Sequence, residues 1–264
     1  MRIALGIEYE GSSYCGWQTQ ATGCAVQDRL EAALAQIAGA PVATVCAGRT
    51  DAGVHALAQV VHFDCAAHRP ESAWVRGVNA LLPPSLGVTW AQCVAEEFNA
   101  RFSAQARRYR YVLLNHAVRP ALDHRRVGWH HAPLDIEPMR AAAALLIGEH
   151  DFSAFRASEC QAKSPVRTLQ QLCIERRGPY LLFDFCANGF LHHMVRNIVG
   201  SLVYVGNGRQ QASWIGELLA ARDRRHAAPT FDAAGLYLTG VDYGAAWNLP
   251  QPKRVSWPWN EGTA

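Results

Sequence analysis

Several features that mark other protein classes are missing from this chain of 264 residues. It has no run approaching the roughly 20 apolar residues that a membrane-spanning helix needs. Its first apolar segment, residues 3–7, is short and runs directly into Glu8 and Glu10, which is not the pattern of a signal peptide. We therefore expect a cytoplasmic protein that has no membrane partner.

Motifs for metal and nucleotide binding are also absent. The eight cysteines include no C-x-x-C pair, so we expect neither a structural zinc site nor a disulfide framework. No stretch matches G-x-x-x-x-G-K-[ST], G-x-G-x-x-G or G-x-S-x-G. The usual signals of nucleoside triphosphate binding, dinucleotide binding and serine hydrolysis are therefore missing.

Lysine is scarce. Of the 25 lysine and arginine residues, only two are lysines, Lys163 and Lys253, and the other 23 are arginines. The formal net charge is +3. Arginine suits RNA because its planar guanidinium matches phosphate geometry and stacks on bases. A GC-rich genome produces the same bias and explains the ratio by itself. Only the placement of the arginines can therefore support RNA binding.

Hydrophobic periodicity predicts two similar halves. In the first half we predict strands at 3–9, 42–48, 59–65 and 88–94, and helices at 26–37 and 72–82. In the second half we predict strands at 108–114, 166–175, 181–187 and 236–241, and helices at 138–147, 191–205 and 214–221. Each half follows the β-α-β-β-α-β order of ferredoxin-like domains, which predicts an α+β fold. The expected domains are 1–104 and 105–246, followed by a loosely held tail at 247–264.

The segment A-G-R-T-D-A-G-V-H, residues 47–55, places Asp51 in a glycine-flanked loop between two predicted strands. Glycines let the backbone turn tightly and let a ligand come close. Arg49 can keep the carboxylate ionised or reach an anionic substrate. Taken alone, the pattern favours an Asx turn with a surface salt bridge over an active site.

A second segment, R-R-Y-R-Y at 107–111, interleaves arginine and tyrosine on a predicted strand. Alternation places Tyr109 and Tyr111 on one face, and Arg108 and Arg110 on the other. Such a strand can stack a displaced base while cations hold the RNA backbone. Taken alone, it is better interpreted as two core tyrosines and a solvated arginine face.

A third segment, F-L-H-H-M-V-R-N at 190–197, opens a predicted helix. His192, His193, Arg196 and Asn197 share the face opposite the apolar stripe. Donors near a helix N-terminus favour an anion, either a phosphate or a carboxylate such as Asp51. Adjacent histidines make a poor metal site, so no metal is expected.

In this order along the chain, the segments resemble the tRNA pseudouridine synthase A family. The resemblance is carried by residues 8–18, 47–55, 78–83, 98–102, 109–111, 150–156, 187–200 and 235–238. It implies an isomerase that converts uridine to pseudouridine at positions 38, 39 and 40 in the anticodon stem-loop of tRNAs. Two residues depart from the family pattern: Glu10 stands in place of an aspartate and Ala58 in place of a glycine, and both changes concern local loop geometry.

The resemblance also implies roles for individual residues. Asp51 is the essential nucleophile or base, Arg49 helps to flip the base out, and Tyr109 stacks on the uracil. Arg196 pairs with the catalytic carboxylate. Two segments are implied to contact tRNA: Phe98, Asn99, Ala100, Arg101 and Phe102, and Glu159, Cys160, Gln161, Ala162 and Lys163.

For the whole protein, the resemblance implies a cofactor-free homodimer. Its two ferredoxin-like halves are expected to join into a mixed, mostly antiparallel sheet with helices on one side. Two other functions stay open. One is a non-catalytic RNA-binding or chaperone protein. The other is a carboxylate-dependent nucleosidase, which is disfavoured because no second acidic residue accompanies Asp51 in its loop.

Overall fold

The strands and helices are described in a computed structural model that covers residues 1–250. The strands are β1 (Arg2–Tyr9), β2 (Val45–Cys46), β3 (His55–Asp64), β4 (Leu86–Val94), β5 (Ala104–Asn115), β6 (Gly128–His130), β7 (Gly148–Asp151), β8 (Val166–Arg177), β9 (Tyr180–Ala187) and β10 (Leu236–Tyr243). The α-helices are α1 (Val26–Ala38), α2 (Ile136–Ala144), α3 (Met194–Gly206) and α4 (Trp214–Ala221). Most predicted elements are confirmed, whereas β6 and β7 were not predicted. Within residues 1–250 no helix is long and apolar enough to cross a membrane.

The chain divides into two units at boundaries that differ from the predicted ones. Unit 1 comprises Met1–Arg107 together with residues 237–250, and unit 2 comprises Arg108–Leu236. Residues 237–246 were predicted to belong to the second domain. They group with unit 1 because β10 pairs in parallel with β3, Tyr237 opposite His55 and Leu238 opposite Ala56.

The start of the predicted tail also belongs to unit 1. The Trp247 ring packs edge-to-face on Phe98, with 5.2 Å between ring centroids. The rest of the predicted tail, residues 251–264, lies outside the residues that the structure describes.

The sheet of unit 1 has the strand order β4-β1-β3-β10, with β2 on β3. The strand β1 is antiparallel to both β3 and β4, and β2 is antiparallel to β3. The strand predicted at 42–48 is reduced to two residues in β2. Just outside β2, backbone groups bond to side chains: Thr44 N–H donates to Glu31, and Ala47 C=O accepts from Arg107.

Helices of unit 1 follow their apolar spacing. The helix α1 buries Val26, Leu30, Ala33 and Leu34, and the Asp28 carboxylate accepts the N–H of Ala25 at its start. The helix predicted at 72–82 is shorter and contains a π-helical turn at Ala73–Gly77. That turn places the buried Trp74 ring edge-to-face on Phe63.

Unit 2 has the strand order β5-β9-β8-β7, with β6 parallel to β5. The predicted hairpin is confirmed with a tighter turn, since Arg177 pairs with Tyr180 across Gly178 and Pro179. The helix α2 starts where the Asp135 carboxylate accepts the N–H of Glu137, and it packs against α3 and β8. The α+β class is therefore confirmed in both units.

A disulfide joins Cys15 to Cys24, contrary to the expectation from cysteine spacing. The two are nine positions apart in sequence, yet their Cα atoms are 5.5 Å apart. The chain folds back between them, and the N–H of Cys15 donates to the carbonyl of Cys24 at 3.2 Å. Such a pair was not visible in the sequence because it depends on loop closure and not on a C-x-x-C motif.

Reducing this bond is expected to destabilise the protein. A disulfide that closes a loop of about ten residues contributes about 2–3 kcal/mol to the free energy of unfolding, since it restricts the unfolded chain. Urea unfolding of the wild type with and without a dithiol reductant measures the difference, and Cys15→Ser should reproduce it. Cys93→Ser is the control, because Cys93 is an exposed free cysteine. Equal unfolding midpoints in both conditions would contradict the expectation.

Candidate active site

The Asp51 loop connects β2 to β3 in unit 1. Its centre is a tight turn in which the N–H of Val54 donates to the carbonyl of Asp51 at 3.1 Å. Gly53 has a φ of +79°, a conformation that favours glycine and explains the second glycine of the motif. Asp51 is half-buried and Arg49 is exposed. The carboxylate thus lies at the end of two strands, as predicted.

The residue between them, Thr50, anchors the loop to the interior of unit 1. Thr50 is buried, and its hydroxyl is hydrogen-bonded to the hydroxyl of Tyr9 at 2.8 Å. The Thr50 carbonyl accepts the N–H of Trp17 at 3.0 Å. Because Trp17 and Tyr9 are themselves buried, the backbone beside Asp51 is tied to core residues.

The first segment of the resemblance, residues 8–18, packs directly on this loop. Gly16, at φ +98°, comes so close that a Cβ there would lie 2.8 Å from the carbonyl oxygen of Thr50. The N–H of Gly11 donates to Nδ1 of His55, at 2.9 Å, and the His55 ring stacks on Tyr237. Sequence reasoning gave these residues no structural role.

The two departures from the family pattern are accommodated locally. Glu10 accepts hydrogen bonds from the N–H and hydroxyl of Ser12, so its longer side chain still caps the following turn. Ala58 is buried in β3.

Tyr109 lies on β5 in unit 2. The predicted alternation is confirmed, because Tyr109 and Tyr111 are buried whereas Arg108 is exposed and Arg110 half-buried. Phe190 packs edge-to-face on the Tyr109 ring, 5.0 Å between centroids. On the other face, the Arg110 guanidinium forms two hydrogen bonds of 2.7 and 2.9 Å with the Asp184 carboxylate.

Arg196 lies in the first turn of α3, also in unit 2. Its Nε donates to the carbonyl of Phe231 at 2.9 Å. The next residue, Asn197, is fully buried and donates to the carbonyl of Phe155, and its amide oxygen accepts from Thr230 and Arg224. The loop that contacts Arg196 is therefore held by the neighbouring asparagine.

The predicted start of this helix was wrong. The helix α3 begins at Met194 and not at residue 191, because His193 has a left-handed backbone with a φ of +62°. His192 and His193 therefore precede the helix and do not share a helical face with Arg196. Their rings lie 4.0 Å apart, between centroids.

The first predicted RNA-contact segment divides into buried and exposed members. Phe98 and Ala100 are completely buried, and the N–H of Ala100 donates to His62. Asn99 is half-buried, and its side chain caps the backbone of Arg101 and Phe102. Phe102 is 79% exposed, with the Arg101 guanidinium over its ring. The side chains at the surface are therefore Arg101 and Phe102.

The second such segment is a loop held by one arginine. The Arg156 guanidinium donates to the carbonyls of Cys160 and Ala162 at 2.6 and 2.9 Å. Burial acts to raise the pKa of the Cys160 thiol, but hydrogen bonds from backbone N–H groups and the charge of Arg156 outweigh it, so the pKa is lowered. Exposed and half-buried side chains alternate here: Glu159, Gln161 and Lys163 are exposed, and Cys160 and Ala162 are half-buried.

Comparison with known proteins decides the family. A family profile described as tRNA pseudouridine synthase matches residues 6–103 and 142–244. The chain belongs to the tRNA pseudouridine synthase family. The match includes the Asp51 loop and Arg196, whereas Tyr109 lies in the stretch between the two matched segments. The predicted class, an isomerase that converts uridine in tRNA to pseudouridine, is confirmed by this membership.

Relatives match the pseudouridine synthase chain over nearly its whole length. Proteins named tRNA pseudouridine synthase A from Thiobacillus denitrificans and Dechloromonas aromatica are 58% and 59% identical to it, over 258 and 252 residues. These matches cover 98% and 96% of this chain, and 99% and 96% of the relatives. The protein of that name from Aromatoleum aromaticum is 59% identical, with 97% of each chain covered.

Proposed function

We propose that this enzyme forms pseudouridine at positions 38, 39 and 40 in the anticodon stem-loop of tRNAs, with Asp51 as its essential nucleophile or base. The observation that carries the proposal is the Asp51 loop. A half-buried carboxylate sits at the tip of a turn whose backbone is tied to the core through Thr50. A surface Asx turn would not require this anchoring.

The chemistry requires one reactive carboxylate and no redox partner. The bond between N1 and C1′ of the uridine breaks, the uracil turns, and C5 bonds to C1′. The hydrogen at C5 leaves as a proton, and N1 gains a proton. Nothing is oxidised or reduced, so the reaction is balanced without a cofactor.

Three arginine and tyrosine side chains complete the proposed machinery. A paired uridine must leave its stem, at a cost of a few kcal/mol. Arg49, which is exposed, holds the space that the base vacates. Tyr109, whose ring is packed against Phe190, stacks on the uracil, an interaction worth about 1–3 kcal/mol. Arg196, oriented by the carbonyl of Phe231, pairs with the Asp51 carboxylate.

For tRNA contact, the exposed members of the two surface segments are the best candidates. Arg101 and Phe102 offer a cation and a stacking ring. The exposed side chains of the second segment are Glu159, Gln161 and Lys163, of which Lys163 supplies a further cation. The buried and half-buried members of the two segments have a structural role, since they hold the backbone that carries these side chains: Phe98, Asn99, Ala100, Cys160 and Ala162. We further propose that the enzyme acts as a homodimer in the cytoplasm, where its tRNA substrates occur.

One assay tests the proposed function against its alternatives. The protein is incubated with an unmodified tRNA transcript that carries tritium at uracil C5. We expect release of tritium into water without free uracil, and loss of this release when cytidine replaces uridine at positions 38–40. An RNA-binding chaperone would release neither product, and a nucleosidase would liberate free uracil. Release that persists after the cytidine replacement would contradict the proposed positions.

A further inference from the structure

The backbone at the start of the Asp51 loop, at Ala47, Gly48 and Thr50, is held by groups outside the loop. After the N–H of Ala47 donates to the carbonyl of Val60 at 2.8 Å, the sheet ladder stops. From there to Thr50, the hydrogen bonds described for the backbone involve a side chain or a distant segment. The two peptide groups that precede Arg49 depend on side chains.

Gln59 bonds to both of these peptide groups. Its amide nitrogen donates to the carbonyl of Gly48 at 2.6 Å, and its amide oxygen accepts the N–H of Gly48 at 3.4 Å. One side-chain amide thus pairs with both polar groups of one residue, as a neighbouring strand would. Gln59 is completely buried, with 0% of its surface exposed.

Arg107 also holds the first of these peptide groups. Its guanidinium donates to the carbonyl of Ala47 from Nη2 at 2.9 Å and from Nε at 3.2 Å. The same Nη2 donates to the carbonyl of Arg101 at 2.6 Å. The start of the Asp51 loop is thereby fixed to the segment that carries Arg101 and Phe102.

A buried glutamine in a strand is an unusual choice, since β3 is otherwise largely apolar around it. Burying an amide is unfavourable unless it is hydrogen-bonded, and an apolar side chain of similar volume would fill the space as well. The amide is needed here because the Gly48 carbonyl and N–H would otherwise lack a strand to pair with. Its function is therefore to fix backbone geometry.

We propose that Gln59 is a positioning residue: its buried amide fixes the Gly48 peptide, and through it the direction in which the Arg49-Thr50-Asp51 turn presents the catalytic carboxylate. This inference rests on the proposed role of Asp51. Gln59 acts through Asp51 and does not touch the substrate. Loss of its amide should impair the chemical step while tRNA binding is retained.

The decisive variant is Gln59→Met, which keeps the volume and removes both hydrogen bonds. We expect kcat for pseudouridine formation to fall about 10- to 100-fold, the usual effect of displacing a catalytic group by a fraction of an ångström to about one ångström. KM for tRNA should stay within about twofold. Gln92→Met is the matched control, because Gln92 lies on β4 in the same sheet and its amide also donates to a backbone carbonyl, that of Trp247, at 3.5 Å. It should keep wild-type kcat.

A second variant and a second measurement separate the outcomes. Gln59→Glu keeps an acceptor for Gly48 N–H but cannot donate to the Gly48 carbonyl when ionised, so kcat should fall here too. Hydrogen exchange of the peptide that contains residues 47–54 should speed up in both Gln59 variants and not in the Gln92 variant. Wild-type kcat in a folded Gln59 variant, or a fall in kcat that only tracks the unfolded fraction, would overturn the proposal. Faster exchange together with an inactive wild type would instead refute the proposed function.

Discussion

Asp51→Asn is expected to lower pseudouridine formation by about 10⁴-fold or more. Asparagine has nearly the same shape as aspartate, so the turn closed by Val54 N–H and Gly53 should persist. The amide is neither a nucleophile nor a base, and that loss falls on the chemical step. Affinity for tRNA should change little, because removing one negative charge near a polyanion does not weaken binding. Tritium release from C5-labelled tRNA measures turnover, and a filter-binding titration at fixed salt measures affinity.

Asp64→Asn provides the control for this substitution. Asp64 ends β3 in the same unit, and its carboxylate pairs with Arg2 at 2.7 Å. The hydrogen bond from the Arg2 guanidinium holds the pKa of the Asp64 carboxyl below its usual range. Its loss should leave turnover near the wild-type value. Substantial product from Asp51→Asn would refute the catalytic assignment.

Gly16→Ala is expected to reduce kcat by about 100-fold although Gly16 is itself unreactive. The added methyl would lie 2.8 Å from the carbonyl oxygen of Thr50 and 3.1 Å from the nitrogen of Ala52, both backbone atoms. Gly16 cannot easily retreat, because its carbonyl accepts the N–H of Val26 at the start of α1. The Asp51 loop must therefore shift, and the carboxylate moves with it.

Gly23→Ala separates this displacement from simple backbone strain. Gly23 lies in the same loop region and also has a positive φ, +66°, but nothing lies within 4 Å of an added Cβ. Both alanines therefore carry the strain of a left-handed residue, about 1–2 kcal/mol. Only Gly16→Ala should lose turnover, measured as kcat on folded protein. Equal activity in the two variants would show that the close approach at Gly16 does not position Asp51.

Much of the fold could be predicted because its elements have strong hydrophobic periods. The strand β1, the helix α1 and the hairpin of β8 and β9 follow from spacing and turn chemistry alone. The start of α3 could not be predicted in this way, because the left-handed conformation of His193 interrupts an apolar pattern that continues through it. The disulfide was missed for a similar reason, since it depends on how residues 15–24 fold back.

The candidate site shows the same division. The motif around Asp51 identifies the carboxylate, and alternation in β5 predicts the buried face of Tyr109. The spacing of residues in the sequence does not indicate which buried side chains form hydrogen bonds to the backbone of a loop. Gln59 appears in the sequence as one polar residue in an apolar strand, which is also what a solvent-facing position looks like. Phe98 and Ala100 matched a family segment, yet the interior of unit 1 encloses them.

The parallel pairing of β10 with β3 also determines when the sheet beside the Asp51 loop can be completed during protein synthesis. Tyr237 pairs with His55 and stacks on it, immediately after the loop that carries Asp51. Tyr237 follows His55 by 237 − 55 = 182 positions, so the ribosome makes the loop long before this neighbouring strand. Bringing together two strands so far apart in sequence costs conformational entropy, which slows their pairing. We therefore expect unit 1 to complete its sheet later than local elements such as the hairpin of β8 and β9 form. A nascent chain that stops before β10 therefore contains the Asp51 motif without the strand that completes its sheet.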